Sequence, residues 1–464
     1  MKEFAITLVF DGDTPLYRQL YRYLADEIRA GRLAAGAKLP SKRQLCAHLG
    51  VSMSTVETAY DMLCAEGYIA SRPRSGFAVC DLLPLPTLEA SGPSAPPLPK
   101  PPERARLDLA FSTGAVDTSI FPFSSWARIS KEAVYENPDL LQPGHPQGDL
   151  PLRRALAEFL HQYRGVSCAP EQIVLGAGLD YLLGLVMQLL PPDAGVALED
   201  PGYPTALETV VRYGRRPIPL AVDGGGMRPD QLAASDACAA LVTPSHQFPV
   251  GSTMPLSRRT QLLRWAGEAP DRWLLEDDYD SEFRYTSRPI PALQGLDRLG
   301  RVVYLGTFSR SIAPSIRVAY LILPPGLLER YYALFARTSC TVSRFEQEAL
   351  RRFLTGGGYA AHLRRMNHLY RKRMSSLTDA LTKAFPDCTI SGDGAGLHFL
   401  FTLPRFSESE LVERAATAGV EVHGLSEYCR TIDAPPSTLV LGFAGLDDRS
   451  AERAVERLKA AWAT

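Results

Sequence analysis

Two stretches carry residue types that could do chemistry together. Residues 273–285 and 302–324 each begin as an apolar run that reads as a buried strand, and each releases polar residues at its C-terminal end. That end is where an open α/β sheet holds its ligand. Asp277 and, two residues on, Tyr279 put a carboxylate and a phenol on one side of a strand end. Those groups suit a pyridine nitrogen and a ring hydroxyl. Ser309 and, beyond a break at Pro314, Arg317 add a hydroxyl and a planar fork of donors suited to a phosphate. Together the four outline a site for pyridoxal phosphate (PLP).

These residues sit inside two longer patterns, Glu-Asp-Asp-Tyr-Asp-Ser-Glu-Phe from Glu276 and Gly-Thr-Phe-Ser-Arg-Ser-Ile-Ala-Pro from Gly306. In them the chain closely resembles a fold type I, aspartate-aminotransferase-like PLP protein, specifically the MocR/GabR branch of the GntR transcription regulators. One position departs from that pattern. Where the family carries the lysine that holds PLP covalently, this chain has Arg310. A guanidinium stays protonated with its lone pairs delocalised, so it cannot form an ordinary Schiff base with an aldehyde near neutral pH. The resemblance therefore implies PLP held non-covalently and no catalytic residue. Lys131, Lys372, Lys383 and Lys459, the lysines beyond residue 106, fall in no PLP motif.

Other segments follow in the family's order. Residues 172–183 read as a strand, a glycine turn and a helix start, so the amides around Gly176, Ala177 and Gly178 can cradle a phosphate at a helix N-terminus. The resemblance implies that Tyr203 stacks on the pyridine ring and that Ser245 and His246 lie beside its hydroxyl. A buried tyrosine is otherwise most often plain core. The arginine that clamps a substrate carboxylate in aminotransferases is not placed by any motif. Arg430 is a candidate, and Thr205 stands where some relatives carry a ligand arginine.

The elements that must position these groups are legible from periodicity. At 464 residues the chain exceeds one core, and 45% hydrophobic content with a formal net charge of −1 describes an ordinary globular protein. Bulk charge points to neither nucleic acid nor membrane. Eight widely spaced cysteines without a Cys-x-x-Cys pair read as free thiols in a reducing cytosol. With no signal peptide or apolar span, a cytoplasmic location follows as the expectation.

At the N-terminus, Leu16, Leu20, Tyr23, Leu24 and Ile28 fall at helical spacing up to Gly31. A second helix runs from an N-cap at Ser41 to Gly50, and a third restarts from residue 51 with Val56, Ala59, Tyr60 and Leu63 inward. This is a helix-turn-helix, followed at residues 67–79 by a hairpin wing. The whole resembles a GntR-type winged helix, which implies contacts to double-stranded DNA from Lys42, Arg43, Ser52, Met53, Ser54, Thr55, Arg72 and Arg74. A pair of short helices is more often plain packing, and residues 1–80 hold ten Lys/Arg against eight Asp/Glu. Placement of the cations at the two phosphate-facing edges decides for DNA.

Residues 81–106, rich in proline, read as a semi-extended linker between the winged helix (1–80) and the large region (107–464). From Leu107 strand-like and helix-like patterns alternate, an α/β arrangement. The implied fold is an aminotransferase fold type I domain, a mixed, mostly parallel sheet with helices on both faces, with a small α/β subdomain over roughly 370–464. The basic stretch 356–373 reads as a solvated helix face rather than a nucleic-acid patch. The function implied is a homodimeric MocR-type regulator whose large domain senses PLP or a PLP-amino compound adduct. Two rivals stand beside it: a PLP-dependent aminotransferase with a DNA-binding appendage, and a DNA-binding protein whose large domain only dimerises.

Overall fold

Leu20, Leu24, Ala25 and Ile28 form the buried stripe of a first helix, α1 (Leu16–Arg29), in the computed structural model of the chain. The structure describes residues 6, 8, 10, 12, 14–72, 76–81, 107, 109–285 and 290–463. They divide between two compact units, Met1–Glu103 and Arg104–Thr464. Of the linker 81–106, only Asp81 falls among the described residues.

In the first unit, α2 (Lys42–Leu49) opens on a capping box. The Ser41 hydroxyl accepts from the Gln44 amide at 3.3 Å, and the Gln44 side-chain oxygen accepts from the Ser41 amide at 3.0 Å. Gly50, at φ 64°, ends the helix in the left-handed conformation that glycine takes at least cost. Ser52 caps α3 (Met53–Ala65), accepting from the Thr55 amide at 3.2 Å. Val56, Ala59, Tyr60 and Leu63 pack against α1 in one core. Strands β1 (Ile69–Arg72) and β2 (Gly76–Val79) pair antiparallel as the wing. The helix-turn-helix and its wing thus stand where periodicity placed them.

The second unit is built on an eight-stranded sheet. In chain order its strands are β3 (Ile173–Gly176), β4 (Gly195–Asp200), β5 (Arg216–Asp223), β6 (Gly226–Met227), β7 (Ala239–Val242), β8 (Trp273–Asp278), β9 (Val302–Thr307) and β10 (Ala319–Ile322). In space they run β3, β10, β9, β8, β7, β4, β5, β6. The central strands β9, β8, β7, β4 and β5 are mutually parallel, while β10 runs against both its neighbours. Helix α4 (Leu150–Arg164) packs on one face and α5 (Leu179–Leu189) on the other. Because both faces are covered, β8 and β9 are buried throughout, which accounts for their unbroken apolar starts.

The long helix α6 (Gly358–Ala384) joins this sheet to a second core. Tyr359 and Leu363 pack with α4, whereas Met366, Tyr370, Met374, Leu377 and Leu381 belong to the small-domain core. There β11 (Thr389–Ser391), β12 (His398–Thr402), β13 (His423–Gly424) and β14 (Thr438–Gly442) form a sheet in the order β11, β12, β14, β13. Leu109–Ala110 pairs in parallel with Val420–Glu421, and Phe111 and Val116 join the same core. The small domain therefore also draws in the start of the large region, which a boundary near residue 370 left out. The eight cysteines are free thiols, and among the described residues no helix is long and apolar enough to cross a membrane.

Three consecutive acids at the end of β8 are buried, and each finds a different solution. Glu276 accepts from the Leu293 and Gln294 amides at 2.7 and 2.8 Å. Asp278 accepts from Arg164 at 2.8 and 3.2 Å and from the Tyr304 hydroxyl. Asp277 lies between them with its Oδ1 buried and unpartnered. Arg164 and Asp278 are almost fully buried, so removing one leaves an uncompensated charge in a medium that solvates it poorly. Arg164→Ala is expected to destabilise this unit by about 3–5 kcal/mol. Denaturant melts read this directly, and a loss below about 1 kcal/mol would mean that water reaches Asp278.

Candidate functional site

A cavity of about 220 Å³ opens where β8 and β9 end. Six of the residues singled out from sequence line it: Tyr203, Asp277, Tyr279, Ser309, Arg310 and Arg317. Asp277 has its carboxyl pushed up to about 8, first by burial and then by the neighbouring Asp278 and Asp280; Arg310 pulls the other way. The Tyr279 hydroxyl donates to the His246 carbonyl at 3.1 Å and lies 3.0 Å from His246 Nδ1. Tyr203 forms a partly exposed aromatic wall, edge-on to Phe248 with ring centroids 5.7 Å apart.

Opposite, Ser309 is oriented by Thr307, whose Oγ1 donates to Ser309 Oγ at 3.1 Å and accepts from its amide at 3.1 Å. Arg317 is exposed and held at φ 49°, a region that costs an L-residue about 1–2 kcal/mol. Its Nη2 donates to the Ala177 carbonyl at 3.2 Å. Gly178 makes room for it: at φ 105° it takes a conformation open to glycine, and a Cβ there would strike the Arg317 guanidinium. Arg310 donates through Nη1 to the Thr113 carbonyl at 2.6 Å.

The glycine turn needs a correction. The Ala177 amide donates to Thr341 Oγ1 at 2.9 Å and the Gly178 amide to the Gly176 carbonyl at 2.8 Å, while Gly176 is held in β3 opposite Ala319. None of the three therefore serves as an open cradle. Leu179 and Asp180, in the first turn of α5, line the cavity instead, and first-turn amides have no acceptor within their own helix.

Ser245 and His246 also stand elsewhere, one layer behind the wall. The Ser245 hydroxyl accepts from Arg164 at 2.7 Å. His246 is buried with Nδ1 3.0 Å from Asp280, so it supports Tyr279 rather than facing the cavity. Sequence reasoning passed over Thr243, Thr307, Phe248 and Gly114, which line the cavity too. Thr243 and Thr307 close β7 and β9 in sequence, and a search of every strand end for hydroxyls would have found both. Arg430 borders a recess of about 30 Å³ that adjoins the cavity at Tyr203 and Asp277, but its Nη1 is spent on the Glu427 and Cys429 carbonyls at 3.0 and 2.9 Å. Thr205 uses its carbonyl to accept from Thr209.

In the winged helix the DNA-facing set divides. Arg43 is exposed and makes no ion pair or side-chain hydrogen bond among the described residues, and Met53 and Ser54 are exposed at the start of α3. Lys42 is different: its Nζ pairs with Glu57 at 2.8 Å and lies 3.6 Å from Asp61, tying α2 to α3. The Ser52 hydroxyl is taken up by the cap and lies 2.8 Å from Thr55 Oγ1 and 2.9 Å from Ser54 Oγ. Arg74 and the side chain of Arg72 lie outside the described residues.

A winged helix ahead of a doubly covered sheet with a polar cavity at its strand ends defines a transcription regulator carrying an aminotransferase-like domain. Residues 16–79 match the model for bacterial regulatory proteins of the gntR family, and residues 107–458 match aminotransferase class I and II. The HTH-type transcriptional regulator YdeL of Bacillus subtilis, itself uncharacterised, is 40% identical over 97% of each chain. The probable rhizopine catabolism regulatory protein MocR of Rhizobium meliloti is 36% identical over 97% of this chain and 94% of its own. Among solved structures, a Pyrococcus horikoshii kynurenine aminotransferase in complex with PMP superposes with a TM-score of 0.68 at 26% identity, over 76% of this chain and 90% of its own. The chain belongs to the MocR/GabR subfamily of the GntR regulators, and its second unit has the aminotransferase type I fold.

Three buried acids of this unit set a pH dependence. Burial pushes Asp277 and Glu282 up to about 8 and Glu199 up to about 7. An acid whose folded pKa is raised holds a proton in the folded state that the unfolded chain has already lost. Its contribution is complete below pH 4 and disappears as pH rises through the folded value. The ligand-free protein is therefore expected to lose thermal stability progressively from about pH 4 to about pH 8, and Asp277→Asn to flatten that slope. Melting curves across this window check it; an unchanged slope in the variant would show that Asp277 is ionised throughout.

Proposed function

We propose that the aminotransferase-like unit is the effector domain of this regulator and takes PLP, or a PLP-amino compound adduct, non-covalently in the 220 Å³ cavity. The observation that carries this is the Asp277 carboxyl, buried, unpartnered at Oδ1 and opening on the same cavity as Arg317 and Ser309. A buried acid without a partner is costly to keep unless something arrives to pair with it. Asp277 would hold the ring nitrogen, Tyr279 the ring hydroxyl and Tyr203 the ring face. Ser309, Arg317 and the first-turn amides of α5 would hold the phosphate. When bound, the cofactor supplies an electrophilic carbonyl.

Arg310 occupies the place of the covalent lysine, and its guanidinium offers fixed donors in place of a nucleophile. Binding is then a reversible equilibrium, and occupancy biases the arrangement in which the winged helix meets DNA. The reading includes a cytoplasmic homodimer, since fold type I sites are completed by both subunits. Support comes from the kynurenine aminotransferase, a structural relative that carries PMP.

Borohydride treatment with PLP, followed by mass spectrometry, is expected to leave the protein unmodified. Arg310→Lys should give a PLP-sized mass increase on residue 310, because the cavity would lack only the nucleophile. A trapped adduct on the unaltered chain would overturn the assignment of position 310. Calorimetry on the unaltered chain reads the equilibrium itself, and absence of heat at any practical PLP concentration would leave the unit as a dimerisation body.

For DNA, the exposed Arg43 and the paired Lys42 should behave differently. Arg43→Ala is expected to weaken binding to a promoter fragment across sequences and to lower the salt slope by about 1. Lys42→Ala should act mainly by loosening α2 from α3. Affinities at a series of salt concentrations separate the two, and an unchanged slope in the Arg43 variant would remove that edge from the interface.

A further inference from the structure

The cavity described above is not alone beside the sheet. Between α4 and α6, on the sheet face where α4 packs, lies a second cavity of about 500 Å³. We propose that it is a binding site for a small aromatic anion, an aromatic carboxylate or phosphate ester. This inference does not rest on the reading of the first cavity.

One wall is cationic. Arg364, Asn367, His368 and Arg371 follow each other at i, i+3, i+4 and i+7 on α6, so a single helix stripe faces the cavity. Neither Arg364 nor Arg371 makes an ion pair or a hydrogen bond among the described residues. From sequence this stripe reads as a solvated helix face; in the structure it borders a hollow. Arg164 also lines the cavity, but Asp278 neutralises it.

The floor supplies a donor. Glu282 places Oε2 in the interior with no hydrogen-bond partner, and burial pushes its carboxyl up to about 8, so near neutral pH it is an uncharged acid with a proton to give. Two exposed guanidiniums without counter-ions among the described residues, beside a buried carboxylic acid, suit an acceptor-rich, negatively charged group. Aromatic rings make up much of the remaining wall, with Ser281 and Arg284 beside them. Phe159 and Tyr163 stack with centroids 4.7 Å apart, and Tyr304 and Tyr320 with centroids 6.3 Å apart. Such surfaces take a planar ring in preference to an aliphatic chain.

The test is calorimetric titration of the full chain, with and without saturating PLP, using benzoate and phenyl phosphate. Inorganic phosphate is the probe without a ring, and benzyl alcohol the probe without a charge. Binding of at least one aromatic anion is expected, weaker for both controls and unaffected by PLP. The two aromatic arms distinguish a carboxylate from a phosphate ester. In the Arg364→Ala/Arg371→Ala variant the affinity should fall about tenfold or more, the loss of two charge-assisted contacts. Both side chains are exposed, so folding is not at stake, and a thermal melt verifies that. The proposal is overturned if neither aromatic anion binds, if the double variant binds as well as the parent, if PLP displaces the probe, or if either control matches the aromatic anions. If PLP fails to bind at all, the PLP-free arm still decides this site.

Discussion

Adjacent residues on a strand point to opposite faces, and at the end of β8 two adjacent residues are both buried acids. The structure depends on how it treats this pair. Asp278 faces the side where α4 packs and is answered inside the protein by Arg164 and Tyr304. Asp277 faces the cavity and is not answered. Stabilising two neighbouring carboxylates in a dry interior is far more costly than stabilising one: Asp278 is paired, and burial beside it pushes the Asp277 carboxyl up to about 8.

The sequence showed the outer part of that arrangement well. Asp277, Tyr279, Ser309, Arg310, Arg317 and Tyr203 are separated by up to 114 positions and meet in one cavity, because strand ends in a parallel sheet converge. The elements were legible where periodicity was strong: the three helices of the first unit and the buried strands within residues 273–285 and 302–324. What the sequence did not show is that some of these groups also have structural partners. The Ala177 amide was assigned to a phosphate, and its partner is a threonine 164 residues away. Lys42 was assigned to DNA, and its partners are Glu57 and Asp61, each one and two turns into the next helix. Ser52 was assigned to DNA and also caps that helix. In each case the competing partner becomes visible only when the chain is folded.

The basic stripe on α6 is exposed, as periodicity read it, and it also borders the second cavity. A helix face rich in arginine is usually solvated, and reading it so was sound on periodicity alone. Nothing local reveals that α4 stands back from α6 far enough to leave a hollow, because that spacing is set by the aromatic side chains of α4, β9 and β10.

The two cavities also differ in how charge is arranged, and this bears on Arg310. Around the first cavity, Arg310 and Arg317 are cationic and Asp180 is anionic at the start of α5, where the helix dipole favours it. Asp277 is largely uncharged near neutral pH, so the empty cavity carries an excess of positive charge. A phosphate ester entering it meets attraction before any specific contact forms. On the proposed reading, a cationic ring nitrogen beside Asp277 would favour the ionised carboxyl and release the proton that burial keeps there. A lysine at position 310 would lose its charge on reacting with an aldehyde. Arg310 offers no such reaction and is anchored on the Thr113 carbonyl in the segment that enters the small domain. On the proposed reading, the group whose charge would change on binding is therefore Asp277 rather than residue 310.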